Sequence, residues 1–166
     1  MKNNGTLRIS RPRIEVNGDK VRVAASIGSP EHGDVRDVWL EVDRKYEDGL
    51  CHERGDAFLV GMLRYAMAYG YDIESEAPIS EELLYGLRTY LIPSLANHNE
   101  DIYEVRISSP QDGTFLPNQG GVATGASLGI DSMFSIMHHV NSEYPAHNLT
   151  HLLLNNVGAY DPTRGG

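Results

Sequence analysis

The sequence predicts an α/β protein, and three patterns carry that prediction. Residues 13–23 alternate apolar and charged side chains about an Asn-Gly pair, which is the strongest short-range signal of a β-hairpin. Residues 56–68 form a dense apolar run of helical length that stops near a glycine. Residues 121–157 change from strand to small-residue turn, helix and strand, the pattern of a βαβ unit. We therefore expect an antiparallel sheet with helices, followed by a parallel sheet.

The first region, residues 1–112, is predicted to be an α+β region, a small antiparallel sheet plus helices. In the hairpin, the apolar residues that alternate along both strands should line one covered face, because side chains on a strand alternate between faces. Those residues are Ile14, Val16, Val21 and Val23. Residues 38–42 then form a third strand.

The helices of this region follow. Residues 56–68 are apolar on most faces, which predicts a helix buried between layers. Residues 71–74 are brief and extended. Ser80 caps the next helix, and Pro93 kinks that helix or ends it. Residues 102–107 alternate again and are expected to form a strand.

The second region, residues 121–166, is predicted to hold the first βαβ unit of a Rossmann-like parallel sheet. Residues 122–124 are its first strand and residues 132–140 its helix. Residues 150–157 are nearly all apolar, as in a parallel strand buried on both faces. Such sheets have about five or six strands, so we expect this region to be the start of an incomplete domain.

Composition narrows the functional classes. The 166 residues include 14 Lys and Arg against 23 Asp and Glu, which gives a net charge of −9. Such a charge repels phosphate backbones and anionic lipid, so we expect neither nonspecific nucleic-acid binding nor membrane binding. Cys51 is the single cysteine, and neither a signal sequence nor a membrane-spanning run is present, so we expect a cytoplasmic protein.

The main functional signal is the turn before the second helix. A strand, a small-residue turn and a helix start direct free backbone N–H groups and the helix dipole at one spot, which favours an anion. The six residues Ser127-Leu128-Gly129-Ile130-Asp131-Ser132 resemble the Ser-Gly-Gly-x-Asp-Ser loop of the PP-loop ATP pyrophosphatases. Leu128 stands where that family has its first glycine. A Walker A loop is excluded, because no lysine follows either glycine at the required place.

The resemblance implies that the chain binds ATP and Mg²⁺ and activates an acceptor by adenylation, with release of pyrophosphate. Backbone amides from Leu128 to Ser132 would hold the pyrophosphate part, and the hydroxyls of Ser127 and Ser132 would contact phosphate oxygens. Asp131 and Ser132 would be the catalytic residues, and Asp131 would also hold Mg²⁺ through water. The nucleotide-binding residues implied are Ser127, Leu128, Gly129, Ile130, Asp131, Ser132, Asn155, Asn156 and Val157. The acceptor is a small molecule or an unknown substrate, since the sequence does not identify it.

Other interpretations of the same residues stay open. Gly125-Ala126-Ser127-Leu128-Gly129 matches the Gly-x-Ser-x-Gly nucleophile elbow of α/β-hydrolases, in which Ser127 would attack an ester. A non-catalytic nucleotide-binding module and a turn without any ligand also fit. An apolar strand left without cover, Leu152–Leu154, favours self-association as a homo-oligomer.

Overall fold

The computed structural model describes residues 4–30, 33, 35–114, 120–142 and 148–154. The chain divides into two compact units, Met1–Thr114 and Phe115–Gly166. Both units combine helices and strands, which confirms the predicted α/β class.

The first unit contains eight strands and three α-helices among its described residues. The strands are β1 (Thr6–Ile9), β2 (Arg13–Asn17), β3 (Lys20–Gly28), β4 (Val35–Asp43), β5 (Asp72–Ser75), β6 (Ile79–Ser80), β7 (Ile107–Ser108) and β8 (Gln111–Asp112). The helices are α1 (Asp56–Tyr69), α2 (Glu81–Gly86) and α3 (Ile92–His98), with a 3-10 helix at Arg44–Gly49 and a π-helical turn at Leu87–Leu91.

The predicted antiparallel strands are confirmed as β2, β3 and β4, but the sheet that contains them is mixed rather than antiparallel throughout. Strand β4 pairs with β3 from Val35↔Gly28 to Asp43↔Lys20, and β1 and β2 therefore share the other edge of β3. Strand β5 lies parallel to β1 on one side and to β7 on the other. Helix α1 carries the chain from the antiparallel strands to β5, and a crossover of this kind is what parallel pairing requires.

The predicted hairpin is confirmed, with a different residue pair at its turn. Asn17 pairs with Lys20, so Gly18 and Asp19 are the two loop residues. Gly18 has φ 61°, whereas Asp19 does not have a positive φ, as expected for a type II′ turn with glycine first. Val21 is buried, but its cross-strand partner Val16, on the edge strand β2, is 48% exposed, so the expected cover does not reach it.

Helix α1 covers the sheet with one side only, so the expectation that it is buried between layers was wrong. Its buried side chains are Phe58, Leu59, Leu63, Ala66 and Met67, and they pack with Leu7, Ile9 and Ile73 of the sheet in one core. Val60 on its other side is half-exposed. The helix ends at Gly70 as predicted, with φ 69°.

The helical segment 81–98 runs through Pro93 instead of ending there. The π-helical turn Leu87–Leu91 lies directly before Ile92 and Pro93, which are the first residues of α3. Proline has no N–H to donate, and a widened turn accommodates that loss within a continuous helix. Ser80 occupies the N-cap position of α2, but its side chain makes no capping hydrogen bond.

The strand predicted over residues 102–107 is mostly absent, since only Ile107 and Ser108 form β7. Earlier in this segment the Tyr103 backbone bonds outside the sheet, because its N–H donates to the Met67 carbonyl at 2.9 Å, near the end of α1. Ile102 and Val105 are nevertheless buried in the core.

The second unit contains a parallel strand pair with a helix between them in the chain. Strand β9 (Ala123–Gly125) pairs with β10 (His151–Leu153), and α4 (Ile130–His139) lies between them in sequence. The expectation of a second strand buried on both faces was wrong, because Leu152 and Leu153 are 55% and 51% exposed. The cause is that β10 has only β9 as a partner within the described residues. None of the helices in the described ranges is long and apolar enough to cross a bilayer.

Candidate functional site

The turn between β9 and α4 begins beside the last residue of β10. Ala126 follows β9, is buried, and donates its N–H to the Leu153 carbonyl at 2.9 Å. The register pairs Leu153 with Gly125, so the carboxyl ends of both strands lie at the start of the turn. Open α/β sheets place ligands at this end of their strands.

Leu128 has a left-handed backbone conformation within this turn. Its φ is 60°, and it is the single non-glycine residue with a positive φ in the described chain. Its side chain is 73% exposed, so packing does not force this conformation. The strain was not predicted, although the resemblance contains a signal for it: the PP-loop family has a glycine at this position, and glycine adopts positive φ without a steric penalty.

Neither steric crowding nor the backbone conformation requires a glycine at Gly129. A Cβ at this position would meet Ser127 Oγ at 3.6 Å, an ordinary contact. Gly129 is the N-cap of α4 with φ −75° and ψ 168°, which most residues can adopt. The conformational requirement for glycine therefore lies at Leu128.

The first helical turn leaves backbone donors unused. The first helical bond runs from the Met133 N–H to the Gly129 carbonyl at 3.0 Å. The N–H groups of Ile130, Asp131 and Ser132 precede that bond, and no side chain caps them. Within the described residues, no acceptor bonds them. Three donors at the positive end of a helix dipole favour an anion.

The serine hydroxyls of the turn bond to the turn itself. Ser132 Oγ donates to the Gly129 carbonyl at 2.9 Å, and Ser127 Oγ donates to Ser132 Oγ at 3.3 Å. Ser135 Oγ donates to the Asp131 carbonyl at 3.0 Å. These bonds tie the turn to the first turn of α4 through side chains.

Asp131 is the acidic residue of the first helical turn, where its charge interacts favourably with the helix dipole. No group of three or more His, Cys, Asp or Glu side chains that could hold a metal occurs in the described part of the chain. Mg²⁺ usually keeps several waters and binds through one or two carboxylates together with phosphate oxygens. Asp131 alone therefore fits such an ion only when a phosphate is bound as well.

Six of the nine predicted nucleotide-binding residues lie in the described part of the chain. Asn155, Asn156 and Val157 lie outside the described residues. The structure brings the other six together, because Ser127, Leu128 and Gly129 lead directly into Ile130, Asp131 and Ser132 at the start of α4.

Comparison with known proteins adds no relative. No family model matches the chain, and neither a curated protein nor a solved structure matches it.

Proposed function

We propose that the chain binds ATP at the turn between β9 and α4 and, with an acceptor, acts as a PP-loop adenylating protein that releases pyrophosphate. The observation that carries this proposal is the row of three N–H groups, those of Ile130, Asp131 and Ser132, that bond to no described residue at the start of a helix that follows a parallel strand. The resemblance of residues 127–132 to the PP-loop pattern favours ATP as the anion.

The chemistry expected of these residues is electrostatic. ATP supplies an α-phosphorus for attack by an acceptor oxygen and pyrophosphate as the leaving group. The amides of the turn would bind the phosphate oxygens of that leaving group and stabilise the negative charge that develops on it. Asp131 would hold a hydrated Mg²⁺ against the same oxygens. A Rossmann-like sheet around β9 and β10 is part of this proposal.

The geometry of the turn does not favour a serine esterase. A nucleophile elbow places its serine at the strained position and in hydrogen-bond contact with a histidine. Here the positive φ belongs to Leu128, and Ser127 Oγ bonds to Ser132 Oγ. The strain lies on a different residue, and the described partner of the Ser127 hydroxyl is a serine rather than a histidine.

A proline substitution at the first residue of α4 tests the role of the amides. Ile130→Pro removes one N–H that the helix itself does not use, and proline is favoured at this position. Gly129 has ψ 168°, an extended conformation compatible with a following proline. The Ile130 side chain is 85% exposed, so its loss costs little.

The matched control is Ile130→Ala, which keeps the N–H and removes most of the side chain. We expect Ile130→Pro to bind Mg·ATP about tenfold more weakly than Ile130→Ala by calorimetric titration, since a hydrogen bond to a charged group contributes about 1.5 kcal/mol. Circular dichroism should show equal helix content in both variants. Equal ATP affinity would remove the amides from the proposal, and covalent labelling of Ser127 by a fluorophosphonate would favour the esterase.

A further inference from the structure

A cleft of about 360 Å³ lies in the first unit, beside strand β7 at the edge of the main sheet. Its apolar wall is formed by Ile92, Pro93 and Val105. The charged residues of its lining are Arg88, Arg106 and Glu104. Small-molecule sites have this composition, apolar walls with a few polar groups, and volumes from about 300 Å³ upward.

Arg88 is held at the rim by the edge strand. The Ile73 N–H donates to the Arg106 carbonyl, so in the parallel ladder the N–H and carbonyl of Ile107 point away from β5. The Ile107 carbonyl accepts a hydrogen bond from Arg88 Nη2 at 2.8 Å. This bond fixes the guanidinium, and no described residue accepts a hydrogen bond from its other N–H groups. Arg88 also belongs to the π-helical turn, a distortion that is frequent at functional sites.

The Arg106 side chain differs from that of Arg88 in having no described hydrogen-bond partner. Its side chain makes no hydrogen bond or ion pair within the residues that the structure describes, since only its backbone groups are bonded. The residues that line the cleft include two arginines and one glutamate, a net positive set on a chain whose net charge is −9. A local cation pair of this kind, next to apolar walls, fits an amphipathic anion.

We propose that this cleft binds a small organic anion, a carboxylate or phosphate ester with an apolar body, between Arg88 and Arg106. The anionic group lies against the two guanidinium groups, and the apolar body packs on Ile92, Pro93 and Val105. An added peptide strand fits less well, because the Arg88 side chain already occupies the outward carbonyl of a two-residue edge strand. The proposal is independent of the ATP site, which lies in the other unit.

The test uses the full chain labelled at isoleucine methyl groups, titrated with 4-phenylbutyrate and with phenyl phosphate. We expect both anions to shift the methyl signals of Ile92 and Ile107, with 4-phenylbutan-1-ol at least tenfold weaker than the carboxylate. Arg106→Gln should weaken both anions about tenfold, the scale of one hydrogen bond to a charged group. Glu104→Gln should strengthen them about threefold, because it removes a repulsive charge.

Arg64→Gln is the matched control, because Arg64 is exposed on α1 and does not line the cleft. We expect it to leave both affinities unchanged. Arg106 is the residue to replace first, since Arg88 also bonds the sheet. The proposal is overturned if neither anion shifts Ile92 and Ile107, if the alcohol binds as tightly as the carboxylate, or if Arg106→Gln binds both anions like the native chain.

Discussion

At Leu128 we expect glycine to be more stabilising than alanine, which is the reverse of the order at most positions. A residue with a Cβ costs about 1–2 kcal/mol in the left-handed region, and Leu128 has φ 60°. Glycine removes that cost but adds about 0.4–1 kcal/mol of conformational entropy to the unfolded chain. We therefore expect Leu128→Gly to be more stable than Leu128→Ala by about 0.5–1 kcal/mol.

The difference between the glycine and alanine variants reports the backbone conformation, because both variants lose most of the leucine side chain. Leu128 is 73% exposed, so either substitution loses only about 0.5 kcal/mol of apolar burial. Leu128→Gly should then be about as stable as the native chain, whereas Leu128→Ala should be slightly less stable. A leucine-to-glycine change at an ordinary position lowers stability instead.

Hydrogen exchange of the α4 amides is the appropriate assay, because the two units need not unfold together and exchange reports local opening. Ser135→Gly against Ser135→Ala is the control pair within the same helix. There glycine should be the less stable of the two by about 1 kcal/mol, since Ser135 lies in the helix interior. Equal or lower protection in Leu128→Gly than in Leu128→Ala would refute the strain at Leu128.

Two further predictions concern the first unit. Gly61→Ala should raise the free energy of unfolding by about 0.5–1 kcal/mol, because the added Cβ would meet open space in α1. Gly18→Ala should lower the free energy of unfolding by about 1 kcal/mol, because Gly18 has φ 61°. Urea denaturation measures both changes. Hydrogen bonds from the backbone and hydroxyl of Thr114 lower the pKa of Asp112 below its ordinary 3.8. Asp112 therefore stabilises the fold above that pH and ceases to do so as the pH falls below it, so Asp112→Asn should reduce the acid dependence of the thermal midpoint.

The sequence predicted those elements that depend on residues close together in the chain. The hairpin of β2 and β3 and the end of α1 at Gly70 were both visible, because a turn and a helix end are decided by a few adjacent residues. Strand β1 was missed, since four residues contain too little alternation and its main partner, β5, is more than 60 residues away in the chain. The mixed sheet follows from that non-local pairing.

The candidate site was located by its motif, but its conformation was not. A sequence pattern reports which residues enter a turn, and it does not report that Leu128 rather than a glycine adopts the positive φ. The cleft at Arg88 and Arg106 has no motif at all, because its walls come from a helix and an edge strand that only the fold brings together. Exposure was misjudged at Leu152 and Leu153 for the same reason, and the homo-oligomer inferred from this apolar edge stays a prediction.

The hydrogen bonds of the turn decide which groups can bind a phosphate. A serine hydroxyl has one proton to donate, and the protons of Ser127 and Ser132 are both used inside the turn. Neither hydroxyl can donate to a phosphate oxygen unless it first gives up its bond to Ser132 Oγ or to the Gly129 carbonyl. The amides of Ile130, Asp131 and Ser132 need no such exchange, because the described chain gives them no acceptor. If ATP binds here, these amides must therefore contribute the first hydrogen bonds, and the two serines hold the turn in the shape that presents them.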